Sequence, residues 1–117
     1  MSRVSGADIV VEALAAAGVE LVFGVPGSQN VALFEAVRRS SLRPIVPTDE
    51  MAASFMAAGY ARTTGGLAVL TTIPGPGFTF ALSGLAEARA DSAAVLYLAL
   101  AVDHGGQPFA LQRLDQP

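Results

Sequence analysis

The chain has no cysteine and no lysine, a single histidine (His104) and a single asparagine (Asn30). Without cysteine there are no disulfides, no thiolate metal site and no cysteine nucleophile, which fits a reducing compartment. One histidine cannot build a histidine metal cluster. Positive charge is scarce as well. All seven basic residues are arginine, against ten acids, for a net charge of −3. No basic stripe exists, so a nucleic-acid partner is not expected. Long apolar runs are missing too. The longest, Ala93–Val102, has ten residues, where a bilayer span needs roughly 20. Asp8 and Glu12 stand where a signal peptide would be basic and then apolar. The expectation is a cytoplasmic protein without membrane contact.

What is present is apolar and small. Of 117 residues, 52% are hydrophobic and 15% charged, which excludes disorder. A chain of this length makes one domain, burying about 65% of its unfolded surface. The apolar excess is largely alanine, which suits close packing of helices on a sheet.

The order of elements reads from caps and periodicity. Ser5 with Asp8 three residues on forms a capping box. Ile9, Val10, Ala13, Leu14 and Ala17 follow at helical spacing, and Gly18 closes the helix. Leu21–Val25 reads as a buried strand, then Gly24–Gly27 as a turn. Asn30–Arg39 predicts a helix with Val31, Phe34 and Val37 on one face. Arg43–Pro47 predicts a short strand. Thr48 is the N-cap candidate for a helix reaching Thr64, with Asp49 and Glu50 in its first turn and Gly65-Gly66 as its stop. Leu67–Thr72 predicts a third strand, Pro74–Gly77 a tight loop, and a helix runs on to Ala90. Ala94–Val102 predicts a fourth strand, buried on both faces.

Alternation of strands and helices implies parallel pairing with right-handed crossovers. The fold class is α/β, a flavodoxin-like doubly wound parallel sheet. Asp103–Pro117 shows no convincing further element, so the sheet is expected to be truncated. Three loops directly follow strands: Gly24–Ser28, Pro47–Glu50 and Pro74–Gly77. They should gather at one edge of the sheet, where such folds meet ligands.

Glu50 is the leading candidate carboxylate. An acid in a helix's first turn complements the dipole, and that alone explains many of them. Here the turn continues apolar, with Met51, Ala52, Ala53 and Phe55, so the carboxylate is expected to be partly desolvated. The Gly24–Gly27 and Gly75–Gly77 loops read either as plain strand-to-helix turns or as places where a flat ligand approaches the backbone. Neither is a phosphate loop. Asp91-Ser92 reads as helix-ending solvation, His104 as a loop residue, and Gln112, Arg113 and Asp115 as a solvated tail.

Several segments together resemble one family. Gly18–Gly27 (GVELVFGVPG), Asp49–Ala53 (DEMAA), Gly59–Gly65 (GYARTTG), Gly75-Pro76-Gly77, Gly84–Ala88 (GLAEA) and Ala90-Asp91-Ser92 resemble, in order and spacing, thiamine-diphosphate-dependent 2-oxo acid decarboxylases and carboligases of the acetolactate synthase and benzoylformate decarboxylase type. The resemblance covers essentially the whole chain and implies that residues 1–117 are the N-terminal pyrimidine-binding domain, incomplete at its C-terminal end.

It further implies that Glu50 bonds the aminopyrimidine N1′ nitrogen and so promotes loss of the thiazolium C2 proton. Pro26 and Gly27, with Gly24, would form the first active-site loop, and Gly75, Pro76 and Gly77 would lie beside the cofactor. Ser28 and Gln112 would face the substrate, a small 2-oxo acid. Asp49, Phe80 and Ala93 stand where histidine, asparagine and proline are usual. The implied cofactor is thiamine diphosphate with Mg2+. With no Gly-Asp-Gly and only one asparagine, the chain lacks the family's metal and diphosphate ligands. Those would come from a diphosphate-binding domain of a second subunit, in a homodimer or tetramer. A further domain binding FAD stays open. So do two other readings: the small subunit of a split decarboxylase, and a non-catalytic flavodoxin-like binding module.

Overall fold

The computed structural model describes residues 4–100. Ser5 starts the first helix, α1 (Gly6–Ala16). Its hydroxyl accepts the Asp8 N–H, and the Asp8 carboxylate accepts the Ser5 N–H. Two amides that the helix start would orphan are thereby satisfied. Arg39, from the following helix, reaches the same carboxylate at 3.0 Å. The Ser5 bonds, then the Arg39 bond, hold the Asp8 carboxyl below the usual carboxylate range. Gly18 ends the helix at φ +84°, and the Val19 N–H turns back to the Leu14 carbonyl.

Strict alternation follows: β1 (Leu21–Gly24), α2 (Val31–Arg38), β2 (Arg43–Ile45), α3 (Glu50–Thr64), β3 (Ala68–Thr72), α4 (Pro76–Ala90) and β4 (Val95–Ala99). The sheet order is β2-β1-β3-β4, with every pair parallel. The chain steps from β1 out to β2, then crosses back over β1 to β3 and continues to β4. Right-handed crossovers convert that reversal into two helical layers. Val22 and Val69 pack in one core with Val11 and Leu14 of α1 and Leu33 and Val37 of α2. Phe23, Ala68 and Leu70 pack in the other with Ala53, Ala57 and Ala61 of α3 and Ala81 of α4. Alternate residues of one strand thus serve opposite layers. All five residues of β3 are buried, as a central parallel strand requires. The arrangement is the flavodoxin-like doubly wound sheet expected from the alternation.

Small residues set the spacing of α3 and α4. A Cβ on Gly84 would stand 2.2 Å from the Ser54 Oγ and 2.4 Å from the Ser54 carbonyl carbon. At the far ends of these helices, Arg62 pairs with Asp91 at 3.1 Å and Glu87 at 3.7 Å. Asp91 therefore does more than solvate a helix end: it is the C-cap of α4 and ties back to α3. Pro44 sits in the middle of edge strand β2, opposite Val22. The Arg43 N–H bonds inward to the Glu20 carbonyl at 2.8 Å. Alternation then turns the Pro44 nitrogen outward, where an edge strand tolerates a missing N–H.

Three sequence expectations change. The N-cap of α3 is Asp49, not Thr48: the Asp49 carboxylate accepts the Ala52 N–H at 2.7 Å, the stronger of two adjacent capping side chains. In α2 the buried residues are Leu33, Phe34, Ala36 and Val37, while Val31 is 56% exposed. An eight-residue helix offers too few turns for periodicity to choose its face. Strand β4 is not buried on both faces: among the described residues it is the last strand of the sheet, and Leu96 is 38% exposed. His104, Gln112, Arg113 and Asp115 lie outside the described residues.

Candidate functional site

All four strands point the same way, so the three loops do gather at one edge of the sheet. The chain reverses direction between β1 and β3, and the crevice at such a switch point is where doubly wound sheets hold ligands.

The loop after β1 is braced from within. Asn30 is almost completely buried. Its side-chain oxygen accepts the Gly27 N–H at 2.7 Å and its amide nitrogen donates to the Val25 carbonyl at 3.2 Å. Pro26 and Ser28 are exposed and Gly27 is half-buried on the loop that this side chain holds. Sequence reading took Asn30 only as the start of a helix. A lone asparagine three residues after a glycine turn was the available signal. Asn30→Ala leaves the Gly27 N–H and the Val25 carbonyl without their partner. It should cost about 1–2 kcal/mol of stability, measured by urea unfolding of the full chain.

The loop after β3 is built on glycine geometry. Gly75 adopts φ +77° and ψ −123°, a conformation essentially reserved for glycine, and nothing lies within 4 Å of where its Cβ would be. Pro76 occupies the first turn of α4, where its missing N–H costs nothing. Gly77 is buried. The two loops meet at Ile73, a residue the sequence did not single out. A Cβ on Gly27 would be 2.7 Å from the Ile73 Cγ2, and one on Gly77 would be 2.9 Å from its Cγ1. Both glycines are therefore demanded by packing on one isoleucine side chain. The structure thus brings Gly27 and Gly77 together.

Glu50 is the first residue of α3, at the same edge. It is half-buried. Among the described residues, nothing hydrogen-bonds or ion-pairs with its carboxylate. Asp49, beside it, is already engaged in capping the helix. The Ser54–Gly84 contact fixes the register of α3 against α4, and the two helices run in the same direction. Glu50, about a turn before Ser54, therefore comes level with Phe80, about a turn before Gly84, with the Gly75–Gly77 loop just beyond. The positive ends of both helix dipoles face this edge. The available chemistry is an uncommitted carboxylate beside two closely approached, glycine-lined backbones. Among the described residues, no group of three His, Cys, Asp or Glu side chains could hold a metal ion. Nor is any described helix long and apolar enough to cross a membrane.

Comparison with known proteins identifies the family. Residues 4–117 match the family described as "Thiamine pyrophosphate enzyme, N-terminal TPP binding domain". Acetolactate synthase 3, chloroplastic, of Brassica napus is 46% identical over 88 residues, covering 74% of this chain and 14% of that protein. The acetolactate synthase large subunit of Haemophilus influenzae is 40% identical over 93 residues, covering 79% of this chain and 16% of its own length. The probable acetolactate synthase large subunit of Methanocaldococcus jannaschii is 39% identical over 93 residues, covering 80% and 16%. The match thus spans about one-seventh of the relatives' length. The chain belongs to the thiamine pyrophosphate enzyme family, as its N-terminal TPP-binding domain.

Proposed function

We propose that this chain supplies the pyrimidine-binding half of a site for thiamine diphosphate, in an enzyme that decarboxylates or carboligates small 2-oxo acids in the manner of acetolactate synthase. The observation that carries the reading is Glu50: a half-buried carboxylate without a partner among the described residues, on the first turn of α3 at the switch-point edge.

The residues fit the cofactor. Glu50 would face a ring nitrogen and share a proton with it. The backbone at Gly75, open beyond its α-carbon, and the Gly27 and Gly77 loops packed on Ile73 would let a flat ring approach closely. Pro26 and Pro76 stiffen those loops. When bound, thiamine diphosphate supplies a nucleophilic carbon and an electron sink for the carboxylate that leaves as CO2. The protein's part is to hold the ring, exclude water beneath it and keep a proton available at the Glu50 carboxylate. Ser28, exposed beside the first loop, and Gln112 are the proposed substrate contacts. Asp49 keeps its capping role in place of the family's usual histidine, which leaves substrate handling to these neighbours.

Mg2+ and the diphosphate would be held by a diphosphate-binding domain of a second subunit, in a homodimer or tetramer. Support comes from the outer surface of α3 and α4. Met51, Phe55, Phe78, Phe80 and Leu82 are each more than 40% exposed there, more apolar surface than a helix pair ordinarily leaves to water. Thiamine diphosphate titrated with Mg2+ into this chain together with the diphosphate-binding domain that completes the site should bind saturably by calorimetry. Glu50→Ala should weaken binding, and heat identical for wild type and variant would refute the assignment.

A further inference from the structure

We infer that Tyr97 is a positioning residue for the cleft: its hydroxyl, acting through Thr72 and the Ile73 carbonyl, holds the two glycine loops at a fixed separation. The cofactor part of this inference rests on the function proposed above. Tyr97 is the only polar side chain of β4, two positions along the strand from Ala99, which pairs with Thr72 at the end of β3. Its hydroxyl meets the Thr72 Oγ1, and the same Oγ1 donates to the Ile73 carbonyl at 2.9 Å. A threonine hydroxyl has one hydrogen. With that hydrogen given to Ile73, Tyr97 must be the donor to Thr72. The relay therefore has one direction, from the phenol through the threonine to the peptide that opens the Pro74–Gly77 turn.

Thr72 is fully buried, so water does not readily replace either bond. The tyrosine ring is itself anchored, with its centroid 5.9 Å from that of Phe78 in the first turn of α4. Burial pushes the phenol pKa up, partly offset by the Thr72 bond. It stays protonated, and a donor, at neutral pH. At the other end of the relay, the Ile73 side chain touches both Gly27 and Gly77. One hydroxyl on an edge strand thus governs where Ile73 sits, and Ile73 governs both walls of the crevice.

Two amides report the two walls: Gly27, bonded to Asn30, and Thr79, bonded to the Gly75 carbonyl at 3.1 Å. Tyr97→Phe keeps the ring and removes the donor. In the full chain it should speed hydrogen exchange about tenfold at both amides, the scale of one hydrogen bond. The Gly65 amide, bonded to Ala61 at the other end of α3, should be unaffected. Thr72→Val should reproduce the effect and Thr72→Ser should restore wild-type exchange. Unchanged exchange at Gly27, or equal acceleration at Gly65, would overturn the inference. In parallel, Tyr97→Phe should weaken thiamine diphosphate binding about fivefold. Faster loop exchange with unchanged affinity would overturn the cofactor part. A wild-type chain that binds no thiamine diphosphate even with the diphosphate-binding domain present would refute the proposed function, while the exchange result would still decide the relay.

Discussion

Glu50→Gln should slow exchange of the C2 proton of bound thiamine diphosphate by about a hundredfold or more, the usual scale for losing a positioned acid–base group. The amide is nearly isosteric with the carboxylate, so packing around the half-buried position changes little. It still offers a hydrogen bond to a ring nitrogen, yet it cannot share a proton with it. Affinity should therefore fall less than exchange rate. The competing reading is that Glu50 only complements the α3 dipole. That reading predicts a stability loss of about 0.3–1 kcal/mol and a normal exchange rate. The structure weakens it, because Asp49 already supplies both the cap and a negative charge at that helix end. Wild-type exchange in Glu50→Gln, read by NMR after acid quench, would end the catalytic assignment.

Gly84→Ala should destabilise the fold by about 3 kcal/mol. At an open helical position the same change would gain up to about 1 kcal/mol, from propensity alone. Here the new methyl would lie 2.2 Å from the Ser54 Oγ, which can rotate away, and 2.4 Å from the Ser54 carbonyl carbon, which cannot. Only separation of α3 from α4 relieves the second contact. That movement opens the core holding Ala53, Ala57 and Ala81. It also shifts Glu50 relative to the Gly75–Gly77 loop, so cofactor affinity should fall along with stability. Ser54→Gly in the same chain removes the Oγ and Cβ clashes but leaves the backbone one, so it should rescue only in part. Chemical unfolding of both variants checks this, and a stabilised Gly84→Ala would show that the helices are not packed this closely.

Much of the fold was legible because it depends on local chemistry. Ser5, Gly18 and Gly65 mark helix ends for reasons contained within a few residues, whereas Pro76, expected in the loop, is the first residue of α4. Strand–helix alternation implied parallel pairing, and with it the gathering of the loops at one edge. Glu50 was legible from its place at a helix start, sharpened by the resemblance of the surrounding segments. What escaped depends on distant neighbours. Thr48 and Asp49 are adjacent capping residues, and only the chain's path decides between them. Val31 lies on a helix too short for its period to orient it. The apolar run of β4 does not announce that Leu96 is left 38% exposed among the described residues. Asn30 and Ile73 carry no motif of their own, and the GLAEA segment does not say that Gly84 meets Ser54; each matters because of a residue brought near by folding.

The edge strand with its proline has a consequence for self-association. A polymer built edge to edge needs two open flanks on every molecule, one to accept and one to offer. Here the β2 flank lacks the outward N–H at Pro44, and a three-residue strand has few others to give. Growth of a backbone ladder through β2 is therefore blocked, whatever lies at the other side of the sheet. The proline acts as a chain terminator for sheet growth. Its replacement by valine should restore the outward N–H and make the β2 edge able to accept a further strand.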